Sequence, residues 1–197
     1  MKFFKAFSII FLIFLAIFST FFMFSFKTDF KDIVMKEAGF CDLKPSLVFA
    51  IIKAESKFDA NAKSSAGAVG LMQIRPSTAS YVETMISKNT ENAAHQNNPI
   101  SSFFSLHQTN EEFEKTLFDP KTNIKLGTRY LKYLIDKFQV LNTAICAYNA
   151  GETVVKTWLE NNEYSFDGKS LKKIPFAETD RYLKKVKFNL FVYEKII

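Results

Sequence analysis

The stretch from Lys44 to Ile74 constrains the fold most, because an apolar helical pattern leads directly into a glycine-containing loop. Pro45 suits the first turn of a helix, and Leu47, Val48, Ile51 and Ile52 follow at helical spacing, which predicts an amphipathic helix to about Lys57. Glu55 continues the apolar stripe of this helix. A carboxyl group there is expensive to ionise, so it tends to find a cation or to keep its proton near neutral pH. The loop after it, rich in Ser, Ala and Gly, is typical of a cleft wall.

The rest of the chain predicts a mainly α domain, with any β structure confined to the glycine-containing loop. At 197 residues and 48% hydrophobic, the chain can bury one well-packed core, and it contains no internal repeat. Helical patterns recur in five further places: 28–41, from Pro76 towards Ile86, from Asp119-Pro120, around Val154 to Leu159, and after Pro175 with Leu183, Val186, Leu190 and Tyr193 on one face. Asn142 is a candidate cap for a helix over 143–149, which Gly151 ends. Gly127, inside an apolar stripe, predicts close approach by another backbone.

Residues 87 to 116 are polar and interrupt this helical pattern. We interpret them as an inserted loop with one or two weak helical turns. The loop contains His95 and His107, which lack the spacing of metal ligands, so we expect no metal site and no cofactor.

Residues 7 to 26 form an uncharged apolar segment between Lys5 and Lys27. About 20 apolar residues in a helix match the thickness of a bilayer, and no small-residue cleavage pattern ends the segment. These features favour an uncleaved transmembrane signal anchor over a cleaved signal peptide, with the N-terminal lysines in the cytoplasm. Both alternatives export the remainder, so we divide the chain into an export segment, 1–27, and one domain, 28–197.

The net charge of +6 favours a polyanionic surface such as a cell wall, a membrane or a nucleic acid. Because the aromatic residues do not alternate with basic clusters, we do not expect a nucleic-acid partner. Cys41 and Cys146 are too few for a disulfide framework. They could pair with each other in an oxidising compartment, or Cys146 could remain a buried free thiol.

Three motifs occur in order: Glu55-Ser56 followed by GAVGLMQIRP, AYNAG over 147–151, and PFAET over 175–179. Together they resemble the motifs of lytic transglycosylases of the Slt type, which share the lysozyme-like fold. The resemblance covers about residues 40 to 197 and is interrupted by the insertion. It implies an enzyme in the periplasm whose partner is the glycan strand of peptidoglycan, with the inner membrane as a second partner through residues 7–26.

By this resemblance, Glu55 is the only catalytic carboxyl and protonates the β-1,4 oxygen between N-acetylmuramic acid and N-acetylglucosamine. That role needs a pKa raised towards the working pH, which an apolar site provides. The acetamido group of the sugar would stabilise the cation-like transition state. Glu55 would then take the proton of the muramoyl C6 hydroxyl, which gives a 1,6-anhydro sugar and consumes no water.

The first two motifs also imply residues that contact the substrate. Gln73 is expected to line the cleft and to hydrogen-bond sugar amides, and Met72 is expected to offer an adaptable apolar wall. Ser64, nine residues after Glu55, matches a family serine near the acetamido group. Met72 and Gln73 could instead be packing residues, and Ser64 could be a turn residue.

The later motifs imply three more site residues. Tyr148 matches a family tyrosine whose hydroxyl lies close to the catalytic carboxyl and can orient it, and Asn149 follows it in the same motif. Glu178 matches a glutamate that positions the substrate or the active-site framework. Tyr148 could also be a packing residue, and Glu178 could be a first-turn acid favoured by the helix dipole. Glu55 itself could be an ion-pair partner of a neighbouring lysine, Lys53 or Lys57.

The chain departs from the family pattern at a few positions. Arg75 stands where an apolar residue is common before the proline of the GLMQ segment, and Asp180 stands where an arginine is common, with Arg181 one step later. Cys146 replaces a usual alanine. Two other functions remain open: a hydrolytic muramidase, with Asp59 as the nearest second carboxylate, and a wall-binding module that has lost catalysis.

Overall fold

The computed structural model describes residues 11–15, 25–91 and 110–197, with the side chains of 87–91 and 110–112 left undescribed. Residues 11–15 are helical and exposed. The longer helices of the described residues are α1 (Lys31–Phe40), α2 (Pro45–Glu55), α3 (Pro76–Glu91), α4 (Asn110–Thr116), α5 (Pro120–Phe138), α6 (Leu141–Ala150), α7 (Glu152–Leu159) and α8 (Ala177–Ile196). The mainly α prediction is therefore confirmed.

Helix α2 is the centre of the core, and it is buried on all sides rather than amphipathic as predicted. Pro45 occupies its first turn, and the helix ends at Glu55, two residues earlier than expected. Helix α8 makes the most extensive contact with α2, and α1 also packs against it. Because two helices cover it, α2 has no solvent-exposed face. Its buried residues are Ser46, Leu47, Val48, Phe49, Ala50, Ile51, Ile52 and Ala54.

Helix α5 packs against α6, α1 and α3, and it begins at Pro120 after the Asp119 cap, as predicted. The Asp119 carboxylate caps it by accepting a hydrogen bond from the Thr122 amide at 2.8 Å. The cap predicted for α6 was wrong: Val140 is the N-cap residue, and Asn142 is an exposed residue within the helix. Helix α6 in turn contacts both α7 and α8.

Gly127 on α5 is approached closely, but by a side chain instead of the predicted backbone. A methyl group added at Gly127 would lie 2.5 Å from the Met72 sulfur and 2.7 Å from the Met72 Cβ. The glycine thus makes room for Met72 beneath the loop that follows α2.

The β structure of the described residues consists of isolated bridges. Lys63 pairs with Val69 and Val69 with Ile74, which lie in the predicted loop. A further bridge joins Ser165 and Leu171, so the prediction that β structure is confined to that loop was wrong. Helix α3 continues to Glu91 and α4 begins at Asn110, so helical structure occupies both ends of the predicted insertion. His95 and His107 lie outside the described residues. Cys41 and Cys146 are both buried free thiols, so they do not pair with each other.

Most of the predicted membrane segment, residues 7–10 and 16–24, lies outside the described residues. No helix within the described ranges is long and apolar enough to cross a bilayer. The end of the segment packs on the domain: the Phe26 ring lies 5.4 Å from that of Tyr193 on α8. The Tyr193 hydroxyl donates a hydrogen bond of 2.8 Å to the Lys27 carbonyl.

Candidate active site

A cleft of about 530 Å³ opens between the end of α2, the loop after it, and the facing ends of α6 and α8. Six of the seven predicted site residues line this cleft: Glu55, Ser64, Gln73, Tyr148, Asn149 and Glu178. Tertiary packing therefore brings together residues from all three sequence motifs.

Glu55 is the last residue of α2, and its carboxyl is partly buried at the wall of the cleft. The Tyr182 hydroxyl, on α8, donates a hydrogen bond of 2.6 Å to Glu55 Oε1. Burial raises the pKa of Glu55 to about 7, although the Tyr182 hydrogen bond and the charge of Lys185 act in the opposite direction. A carboxyl group with this pKa can both give and take a proton near neutral pH.

Glu55 does not form the ion pair with Lys53 or Lys57 that the alternative interpretation proposed. Lys53 is not part of the cleft lining, and its ammonium group donates to the Ser25 carbonyl and, at 3.3 Å, to the Ser25 hydroxyl. Lys185 on α8 is the cation whose charge acts on Glu55, and its ammonium group donates to the Ala54 carbonyl. Glu55 is thus held by a phenol and influenced by a lysine from the last helix.

Ser64 lies in a turn of the loop and also lines the cleft. Its side chain lines the cleft, and its Oγ also accepts a hydrogen bond of 3.0 Å from the Ala68 amide. The Ser64 amide donates to the Ala68 carbonyl at 2.9 Å, and the Gly67 amide donates to the Ser64 carbonyl at 3.0 Å. These bonds fix the turn that carries the serine hydroxyl to the cleft.

Gln73 lies in the left-handed region, with φ 48°, at the point where the loop turns back towards α3. Its side-chain nitrogen donates to two loop carbonyls, those of Ala62 at 3.1 Å and Gly70 at 3.0 Å. Because the amide nitrogen is engaged within the loop, the amide oxygen is the atom that Gln73 can offer to a ligand.

Met72 does not line the cleft, and its prediction as an apolar wall was wrong. The side chain is fully buried against Gly127, and the Thr128 hydroxyl contacts its sulfur at 3.8 Å. The Met72 amide donates to Asn123 Oδ1 at 2.7 Å. Met72 therefore supports the loop from below, which fits its alternative interpretation as a packing residue.

Tyr148 lines the cleft, but its hydroxyl donates to the Met72 carbonyl at 2.9 Å rather than to the carboxyl of Glu55. The phenol that bonds to Glu55 belongs to Tyr182, which the motifs did not single out. Tyr148 thus ties α6 to the loop, and its position close to Glu55 is reflected in the rise of its own pKa, caused first by burial and then by the Glu55 charge.

Asn149 and Glu178 complete the side of the cleft opposite the loop. The Thr179 hydroxyl donates to Asn149 Oδ1 at 2.8 Å and so links α6 to the start of α8. Glu178 is exposed in the first turn of α8, as its alternative interpretation proposed, and it also lines the cleft. Its negative charge contributes to the raised pKa of Glu55.

The sequence contained a usable signal for Tyr182. The buried face of α8 carries Thr179, Tyr182, Val186, Asn189 and Tyr193, which recur at intervals of three and four. The predicted face used Leu183 and Leu190, and both are only partly buried. Tyr130 and Arg75 also line the cleft: neither was predicted as a contact, although Arg75 was noted as a departure from the family pattern.

The comparisons with known proteins agree with the motifs. The family model of the transglycosylase SLT domain matches residues 33–170. The chain is 34% identical, over 82% of its length, to the soluble lytic murein transglycosylase of Escherichia coli K12, of which the match covers 22%.

Two solved structures share the fold. An inactive mutant of the lytic transglycosylase Slt from Pseudomonas aeruginosa matches with a TM-score of 0.67 and 29% identity, over 86% of this chain and 24% of that one. A complex of the 70 kDa soluble lytic transglycosylase with bulgecin A matches with a TM-score of 0.65 and 30% identity. The chain spans about a fifth to a quarter of the length of these proteins. Because the family model covers most of the chain and the helices match in space, the chain belongs to the transglycosylase SLT domain family, which has the lysozyme-like fold.

Proposed function

We propose that this protein is a peptidoglycan lytic transglycosylase, which cleaves the β-1,4 bond between N-acetylmuramic acid and N-acetylglucosamine and leaves 1,6-anhydro ends. The observation that carries the proposal is the state of Glu55. It is a partly buried carboxyl group at the wall of a cleft, with a pKa of about 7 and a phenol hydrogen bond of 2.6 Å. Such a group suits a single carboxyl that must act first as acid and then as base.

The proposed reaction balances with Glu55 alone. Its proton passes to the glycosidic oxygen as the bond to the muramoyl C1 breaks, and the acetamido group of that sugar stabilises the developing positive charge. The Glu55 carboxylate then takes the proton of the C6 hydroxyl, whose oxygen bonds to C1. While Glu55 is ionised between the two proton transfers, the Tyr182 hydroxyl and the positive charge of Lys185 stabilise its carboxylate.

Residues around Glu55 have proposed supporting roles. Ser64 and Gln73 present a hydroxyl and an amide oxygen to the acetamido groups, and Asn149 and Glu178 contact the glycan on the other side of the cleft. Tyr148 holds the loop in place through the Met72 carbonyl. Met72 itself is assigned no contact with the substrate.

The hydrolytic alternative requires a second carboxylate that activates water. Asp59 is exposed outside the cleft lining, and its Oδ1 accepts a hydrogen bond of 2.9 Å from the Asn61 amide, so it serves the turn after α2. Glu178 is the other carboxyl of the cleft lining and would be the candidate base of a muramidase.

Product analysis distinguishes these reactions. The full chain, purified in detergent, is incubated with isolated peptidoglycan, and the released muropeptides are analysed by mass spectrometry. We expect anhydro-muramic ends, which lack one water relative to hydrolytic products. Reducing muramic ends would refute the transglycosylase and support a muramidase. If neither product forms from peptidoglycan in any state of cross-linking, the chain is a wall-binding module.

We also propose that the protein is periplasmic and anchored in the inner membrane by an uncleaved helix over residues 7–26. The contacts at the end of this segment support the proposal: Ser25 is held by Lys53, and the Phe26 ring packs 5.4 Å from Tyr193 and 6.2 Å from Phe188. An anchor that ends in such contacts would hold the domain at the membrane surface without a flexible linker.

The anchor can be tested by the mass of the mature protein. After expression with its own N-terminus, membrane and periplasmic fractions are separated, and the intact mass is measured. We expect the full-length mass in the membrane fraction, resistant to extraction by high salt. A shortened chain in the periplasmic fraction would identify a cleaved signal peptide instead.

A further inference from the structure

Four tyrosines form a continuous row that starts in the cleft and ends at the protein surface. Successive ring centroids are 5.5 Å apart from Tyr148 to Tyr130, 6.3 Å from Tyr130 to Tyr133, and 5.7 Å from Tyr133 to Tyr81. Tyr148 and Tyr130 line the cleft, whereas Tyr133 and Tyr81 lie beyond its lining. We call these four residues the tyrosine row.

The outer half of the row carries hydrogen-bonding groups. The Tyr81 hydroxyl lies 3.2 Å from that of Tyr133, which in turn donates to Glu152 Oε2 at 2.9 Å. Lys137 donates to the Tyr133 hydroxyl at 3.0 Å and forms an ion pair with Glu152. Burial, together with the Tyr81 hydrogen bond, raises the pKa of Tyr133 to about 12, so its phenol keeps its proton.

Both sides of this outer cluster continue directly from cleft residues. Tyr81 lies three residues after Thr78 on α3, so it is the next position on the helix face that lines the cleft. Glu152 follows Gly151, another lining residue, at the start of α7. The outer cluster therefore adjoins the cleft lining on two sides.

The exposure of Tyr81, at the outer end of the row, distinguishes a binding role from packing, whereas Tyr130, Tyr133 and Tyr148 are partly buried. Tyr81 is 47% exposed, and its ring makes a T-shaped contact with that of Tyr133 instead of filling a core. An exposed aromatic ring with hydroxyl, carboxylate and ammonium groups next to it matches the two sides of a sugar, which has an apolar C–H face and a rim of hydroxyls.

We propose that Tyr81, Tyr133, Glu152 and Lys137 form an additional sugar-binding site, which holds a saccharide unit of the glycan strand beyond the units at Glu55. This inference rests on the proposed function. Because Lys137 and Glu152 neutralise each other, the site offers no net charge to a peptide carboxylate, so the bound unit is a sugar ring and not the peptide stem. Longer glycan strands therefore gain a contact that short ones cannot make.

The test compares substrates of two lengths. Peptide-free glycan oligomers of four and of ten sugars are digested by the full-length protein in detergent, and kcat/KM is measured for each. We expect Tyr81→Ala to lower kcat/KM on the ten-sugar oligomer about tenfold, which corresponds to about 1.4 kcal/mol, and to lower it by less than twofold on the four-sugar oligomer. Tyr81→Phe, which keeps the ring, should retain most of the activity on both.

Two further variants control the result. Phe166→Ala removes another exposed aromatic ring, in the loop before α8, and should change neither value. Glu152→Gln weakens the polar part of the site and should reproduce the length-dependent loss. Equal losses on both lengths, or no loss with Tyr81→Ala, would overturn the additional site, whereas failure of wild-type protein to produce anhydro ends from either oligomer would overturn the proposed function.

Discussion

The C-terminal end of α2 and the N-terminal end of α8 each present a glutamate to the same cleft, in opposite environments. Glu55 is partly buried at the carbonyl end of a core helix, where burial raises its pKa to about 7. Glu178 is exposed in the first turn of α8. The carbonyl end of a helix disfavours negative charge, and the amide end favours it. The difference shows that burial and the helix end together decide whether a glutamate of this cleft has a raised pKa, as Glu55 does.

Helix α8 contributes to both environments. It carries Glu178 at its exposed start and, one turn later on its buried face, Tyr182, which bonds to Glu55. Residues of the last helix therefore act on the pKa of a carboxyl that belongs to another helix. Four predictions on three substitutions test this contrast between the two glutamates, from the largest expected effect to the smallest.

Replacing the buried acid should have the largest effect. Glu55→Gln removes the proton that is donated, and we expect a loss of about 10²- to 10⁴-fold in kcat on isolated peptidoglycan. Glu83→Gln is the matched control, because burial also raises the pKa of Glu83 to about 7 but this residue does not line the cleft. Wild-type rates in Glu55→Gln, with its fold intact by circular dichroism, would show that another group is the acid.

The same variant should be more stable than the wild type at high pH. The pKa of Glu55 is about 7 in the folded protein and ordinarily 4.5, so the folded state binds more protons than the unfolded state between these values. The free energy of unfolding therefore falls as pH rises from 4.5 to 7. After a reduction for partial exposure, we expect Glu55→Gln to gain about 1–2 kcal/mol at pH 8 and almost nothing at pH 4.

Denaturant unfolding of the detergent-purified protein at the two pH values measures this difference. Glu178→Gln is the comparison, since its exposed carboxyl should give no comparable gain at pH 8. A gain for Glu55→Gln that is equal at pH 4 and pH 8 would contradict the proposed burial of the charge.

Loss of the Tyr182 hydroxyl should have an intermediate effect. Tyr182→Phe removes a hydrogen bond that favours the Glu55 carboxylate, so the pKa of Glu55 should rise and the alkaline limb of the kcat/KM profile should move to higher pH. We expect a rate loss of about five- to tenfold, which corresponds to about 1–1.4 kcal/mol, the net contribution of a typical hydrogen bond in a protein. Tyr148→Phe is the control, because its hydroxyl bonds to the Met72 carbonyl, and it should leave the alkaline limb in place.

The smallest effect should come from the exposed glutamate. Glu178→Gln removes a negative charge that raises the pKa of Glu55, so the alkaline limb should move to lower pH, opposite to the shift in Tyr182→Phe. The rate at the optimum should fall only about two- to threefold, mainly through KM, because exposed charges interact weakly. A loss as large as that of Glu55→Gln would instead make Glu178 the second catalytic carboxyl of a hydrolase.

Much of the cleft could be predicted because the motifs are local. The run from Glu55 to Gln73 forms one helix end and one turn-rich loop, whose bridges and turns involve residues close in sequence, such as Ser64 and Ala68. Met72 and Tyr182 could not be assigned in the same way. Met72 is buried because α5 has a glycine opposite it, and Tyr182 reaches Glu55 from 127 residues away. Neither partner can be inferred from the short stretch of sequence around Met72 or Tyr182.

The sequence by itself determined the helical class, the apolar position of Glu55 and the membership of its motifs in one family, because helical periodicity and short-range turns are encoded within a few residues. Only the tertiary structure decided which phenol bonds to Glu55, which lysine acts on it, and that the tyrosine row continues the cleft. The physical reason is that these contacts depend on how α8 lies along α2 and α3 along α5, and helix packing is set by the sum of many side chains and not by any one segment.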